Sequence, residues 1–208
     1  VDVYYRDNPP TRGGLLEKAG LPEVPENSVP LEGVKPVDTG PEGLKQVKKL
    51  MGDQGLVGVP LTSSVVFRNP EQIYDYVDHP EKYEEIAEKR VSKVEERFEK
   101  IMALDVKPDF LCVGGSGTLI FQSVDIFRKL AFPAVKRAVD LCSQSGMPTH
   151  VHSCGPEKEL VKIMAEETEL TVIDPLEKPP MGDCDLAELK RKYGQSSTLK
   201  GNLHTTDT

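Results

Sequence analysis

From residue 55 onward the chain alternates short apolar runs with longer amphipathic stretches, and this alternation restricts the possible folds more than any other feature. The runs at 56–60, 109–113, 148–152, 170–174 and 198–203 read as strands, and their nearly continuous apolar character is that of parallel strands buried on both faces. Between them, 70–76, 80–104, 125–145, 156–168 and 185–193 read as helices. The punctuation agrees. Asn69 can cap the helix that Pro70 opens, Asp125 starts another, Asp185 can cap the last, and Gly146 and Gly194 stand where left-handed C-terminal residues belong. Pro133 lies inside 125–145 and predicts a kink or a division there.

The helix at 80–104 alternates charge sign from Glu81 to Lys100, as a solvated outer face does, with Ile86, Val94, Phe98, Ile101 and Met102 expected to turn inward. Residues 1–54 form a less regular part: a strand over 1–5, a short helix over 14–19, a proline-rich connector over 23–37, and a helix over 41–51 leading into the repeats at 55–208.

Repeated strand-helix units define an α/β chain and leave two architectures, an eight-stranded barrel or an open doubly wound sheet. No strand is followed by Gly-x-Gly-x-x-Gly or by a phosphate loop ending in Gly-Lys-Ser/Thr, which favours the (β/α)8 TIM-type barrel. A closed barrel takes about 250 residues. The chain is therefore expected to be a single partial barrel domain over 1–208, an incomplete fragment lacking elements at both ends.

Composition narrows the function classes. With 38% hydrophobic and 29% charged residues the chain is of ordinary globular type, and it has neither a membrane-length apolar run nor an opening signal peptide, so a cytoplasmic protein without a membrane partner is expected. A net charge of -8 argues against a nucleic-acid surface and leaves small molecules or proteins as partners. The four cysteines are expected to be reduced. Cys112 and Cys142 read as packing residues in apolar contexts, while Cys184 sits at a turn from which it could reach a metal.

The chemistry concentrates in Thr149-His150-Val151-His152-Ser153-Cys154-Gly155. Alternate residues of a strand share a face, so His150, His152 and Cys154 should point together. Imidazole nitrogen and thiolate sulfur suit a borderline-soft ion such as zinc, and the pair closes a strand just before a turn into a helix, where repeated strand-helix folds place their chemistry. A His-x-Cys pair is short, and a buried histidine beside an inert thiol would look the same. Three further groups belong at the same rim. Gly115, Ser116 and Gly117 can hold an anionic substrate group or form a plain tight turn; Asp174 and Glu177 can orient a ligand or bind substrate, or simply cap; Asn202 and His204 finish the last strand.

Read together, 109–121 with its Val-Gly-Gly-Ser-Gly-Thr segment, Phe127-Arg128-Lys129 to Pro133, His152-Ser153-Cys154-Gly155, Ile173-Asp174-Pro175-Leu176-Glu177, Gly182-Asp183 and Lys200-Gly201-Asn202-Leu203 resemble the uroporphyrinogen decarboxylase superfamily over most of 55–208. His-x-Cys-Gly looks like the zinc motif of that superfamily's cobalamin-dependent methyltransferases, a motif its metal-free decarboxylases lack. The resemblance implies a barrel, a zinc held by His152, Cys154 and a later cysteine beyond Thr208, and a methylcobalamin or other corrinoid supplied by a partner protein. Within the chain only His150, Cys184 or His204 could replace the third ligand. A thiol activated by zinc can attack a methyl-cobalt corrinoid, or in the reverse sense zinc can polarise a methoxy or methylamine substrate. Two other functions compete: a metal-free uroporphyrinogen decarboxylase, which arginines in a preceding segment would favour, and a non-catalytic corrinoid or small-molecule binder.

Overall fold

The structure, a computed structural model, describes residues 40–67 and 69–203. The expected strand at 1–5, helix at 14–19, connector at 23–37 and His204 lie outside the described residues. Helix α1 spans Pro41–Met51, the range its periodicity predicts, and is followed by β1 at Gly58–Pro60. Next come α2, Pro70–Asp78, α3, Pro80–Met102, and β2, Phe110–Cys112. A short helix α4, Val124–Ile126, runs through a π-helical stretch Phe127–Ala131 into α5, Phe132–Ser145. Then follow β3, Thr149–Ser153, α6, Lys158–Glu167, β4, Val172–Pro175, α7, Leu186–Tyr193, and β5, Thr198–Leu199.

The five strands form one parallel sheet in the order β1-β2-β3-β4-β5. An order that follows the chain never reverses direction, so right-handed crossovers lay the connecting helices on one face of the sheet. That face carries Leu111, Val113, Val151 and Ile173, which are buried with Val135, Ala138, Val139, Leu160, Ile163, Met164 and Leu189 from the helices in one core. The other face corrects the expectation of strands buried on both sides. Phe110, Cys112 and His150 are half-buried there and His152 is exposed among the described residues.

Cys112 is accordingly not a packing residue of the helix-covered core, whereas Cys142 is. Its apolar run conceals which neighbours face which way. In α3 the buried stripe is Tyr83, Ala87, Val94 and Ile101, with Phe98 packed against the same core; Val94, Phe98 and Ile101 turn inward as expected, whereas Ile86 is 45% exposed and Tyr83 takes the inward place in that turn. Tyr83 is drawn inward by Phe67 and Tyr76, whose rings lie 5.6 and 5.5 Å from its own.

Helix ends follow local chemistry. Asn69 and Asp185 cap as expected, accepting from Gln72 N and Glu188 N at 3.0 and 2.9 Å. Ser123, not Asp125, caps α4 by accepting from Ile126 N. Pro133 follows directly on the π-helical stretch, which absorbs the division expected there. Gly146 takes φ 72°, but Gly194 stays right-handed at φ -67°.

Candidate functional site

Parallel pairing sets Cys112 beside His150 and His152 beside Asp174. Because alternate side chains share a face, these four groups gather on the half-covered side of the sheet. Asp174 is the hub. Its Oδ1 lies 2.7 Å from His152 Nδ1 and its Oδ2 3.0 Å from His150 Nε2, while Lys200, just after β5, also pairs with Oδ2. The Asp174 side chain is only 7% exposed. Burial opposes its ionisation, but Lys200, His150 and His152 outweigh that penalty and hold the carboxyl below its ordinary value.

An ionised carboxylate only accepts, so each imidazole donates the N–H that faces it. In neutral His152 this leaves the Nε2 lone pair directed away from the sheet, and Cys154 Sγ lies 3.4 Å from it. In neutral His150 the remaining lone pair is on Nδ1, 4.0 Å from Cys112 Sγ. Two thiols and two imidazoles are therefore arranged around one carboxylate.

The His152–Cys154 pair fits a zinc ion by the chemistry and spacing of its donors. Zn–N and Zn–S bonds of tetrahedral zinc hold the two donor atoms about 3.6 Å apart, close to the 3.4 Å found here. A carboxylate on the far nitrogen of a ligating imidazole is the usual way such a ring is oriented and made more basic. Among the described residues no group of three or more His, Cys, Asp and Glu side chains that could hold a metal ion is found.

The other expected residues have different placements. His150 is turned to Asp174 and Cys112, with its side chain 16% exposed. Cys184 is buried in the core at 3% exposure, and burial pushes its thiol up to about 12. Glu177 Oε2 accepts from Gly155 N at 2.7 Å, next to Cys154. The loop of Gly115, Ser116 and Gly117 makes inward contacts: Thr118 Oγ1 donates to Gly115 O at 2.8 Å and Thr118 N to Ser153 Oγ at 3.1 Å. Ser116 itself is exposed. Asn202 is half-buried beyond Gly201, whose position leaves no room for a Cβ against Pro175 O.

Sequence reading missed Cys112, Lys200 and Glu157, the last of which is buried at the start of α6 with its Oε2 accepting from Leu176 N. Cys112 could have been found from the register of β2 against β3, and Lys200 from its place at the end of β5. Glu157 left no signal, since an acidic residue at a helix start ordinarily faces water.

The fold and site together define an α/β protein with a thiol-imidazole-carboxylate row along one sheet face, and no described helix is long and apolar enough to cross a membrane. Comparison with family models, curated proteins and solved structures gives no match.

Proposed function

We propose that the protein is a zinc-dependent methyltransferase of the uroporphyrinogen decarboxylase superfamily, moving a methyl group between a small substrate and a corrinoid carried by a partner protein. In this reading the five parallel strands are part of an eight-stranded barrel, whose strands likewise run in chain order. One observation carries the proposal: His152 Nε2 and Cys154 Sγ face each other at 3.4 Å while Asp174 holds His152 Nδ1 at 2.7 Å.

His152 and Cys154 would hold the zinc, with the later cysteine implied by the resemblance as third ligand. When bound, zinc supplies a Lewis acid that activates a substrate thiol or polarises a methyl-bearing oxygen or nitrogen. Asp174 fixes the tautomer and plane of His152, so that Nε2 is available as a donor. Lys200 balances the carboxylate charge next to both imidazoles.

Zinc content and methyl transfer from methylcobalamin to a thiol, both measured on the full-length protein, test the reading. The expected result is stoichiometric zinc, and loss of both metal and transfer in His152→Ala and Cys154→Ser. Zinc that survives both substitutions would overturn it, and porphyrinogen decarboxylation by metal-free protein would favour the decarboxylase instead.

A further inference from the structure

We infer that Glu157 and Glu177 form a crossed brace that fixes Cys154 against His152, each carboxyl reaching from one rim loop to a backbone N–H of the other. The inference rests on the metal reading above for its purpose, but the brace itself is a matter of geometry. Glu177, in the loop after β4, accepts from Gly155 N in the loop after β3 at 2.7 Å. Glu157 reaches the opposite way and accepts from Leu176 N at 2.8 Å.

Both N–H groups belong to residues whose conformation needs holding. Gly155 has φ 97°, and a Cβ there would lie 2.6 Å from Ile120. Leu176 is not a glycine, yet it has φ 59° and its side chain is fully buried. A buried non-glycine residue keeps a left-handed backbone only where its surroundings over-determine it, and Glu157 supplies one of the constraints.

The far end of the loop after β4 closes the arrangement. A Cβ on Gly182 would lie 2.2 Å from Glu177 O and 2.6 Å from Gly155 O, so bare backbone of the loop after β4 is packed against its own start and against the loop after β3. Cys184 N then donates to Glu177 O at 3.0 Å. Cys154 therefore stands between two pinned neighbours. Ser153 Oγ accepts from Thr118 N, Gly155 N is held by Glu177, and the thiol is placed beside His152 Nε2 before any ion arrives.

Glu157 is the member that no surface role explains. It is 1% exposed at the start of α6, and its Oε1 has no hydrogen-bond partner among the described residues. Leaving a buried carboxyl oxygen unpaired is costly, and the contact set against that cost is the bond of Oε2 to Leu176 N. Glu157 and Glu177 are positioning residues, acting on the site through Leu176, Gly155 and Cys154.

The test compares Glu157→Ala, Glu157→Gln, Glu177→Ala and Glu177→Gln in the full chain. Glutamine keeps an acceptor oxygen for the same N–H, whereas alanine does not. The deciding readout is the rate at which iodoacetamide alkylates Cys154 in metal-free protein at fixed pH, followed on the Cys154 peptide; cobalt(II) affinity is the second. The alanine variants should alkylate several-fold faster and bind cobalt(II) about 10- to 100-fold more weakly, and the glutamine variants should behave like wild type. Alanine variants that alkylate at the wild-type rate, or glutamine variants no better than alanine, would overturn the brace. If Glu157→Ala fails to fold, the Glu177 pair decides. Wild type that takes up no cobalt(II) while alkylation still responds would remove the metal reading and leave the brace standing.

Discussion

Asp174 is the residue on which the site's chemistry turns, because one carboxylate sets the tautomers of two imidazoles. In Asp174→Asn the amide NH2 must face one imidazole N–H, and the ring that turns to accept it protonates its outer nitrogen. Zinc affinity should fall about 10- to 100-fold, read by competition with a chelator; wild-type affinity would show that His152 does not depend on this partner. Glu157 makes a second prediction at this scale. Burial pushes its carboxyl up to about 8, with Glu177 and Asp174 adding to the shift and the Leu176 N–H opposing it. Its unfolded value lies near ~4.3, so between these values the folded chain binds the extra proton and stability falls as pH rises, by at most about 1.4 kcal/mol per pH unit. The contribution is complete below the unfolded value and lost as pH passes the folded one. Urea unfolding of wild type and Glu157→Gln from pH 5 to 9 should show this slope only in wild type, and equal slopes would contradict it. That His150 and His152 share a face was legible in the sequence, because the period of two within a strand requires it. The burial of Glu157 was not, since it depends on a distant loop folding over a helix start.

At the scale of elements, the rim loops do what the strands cannot. Parallel pairing brings His152 beside Asp174, but Cys154 lies just beyond β3 and its position depends on loop contacts. Gly182→Ala tests this directly, since its Cβ would meet two carbonyl oxygens at 2.2 and 2.6 Å. We expect the loops after β3 and β4 to separate, with a loss of about 1–3 kcal/mol in urea unfolding and faster alkylation of Cys154; unchanged stability would mean that this packing is dispensable. Helix boundaries were largely readable where a cap or a proline marks them, as at Asn69-Pro70 and Asp185. Phase within α3 was readable at Val94, Phe98 and Ile101 but not at its start, where Ile86 is exposed. In α3 an aromatic cluster with Phe67 and Tyr76 draws Tyr83 inward, and nothing within 80–104 announces those partners.

For the whole molecule, the α/β class and the five strands follow from the alternation of short apolar runs with amphipathic helices, and the sheet is parallel throughout. The uneven covering of its faces was not legible, because Phe110-Leu111-Cys112-Val113 looks the same whichever side meets the helices. That face now has a chemical character of its own: polar groups on β3 and β4 are linked through Asp174, while the opposite face is a dry core of Leu111, Val151 and Ile173. The central claim is that His152 and Cys154 clasp one cation on this face. X-ray absorption at the zinc edge of the metal-loaded protein tests it most directly. The predicted spectrum has a sulfur neighbour at about 2.3 Å and an imidazole nitrogen at about 2.0 Å. A zinc shell without sulfur, or one without imidazole nitrogen, would contradict it.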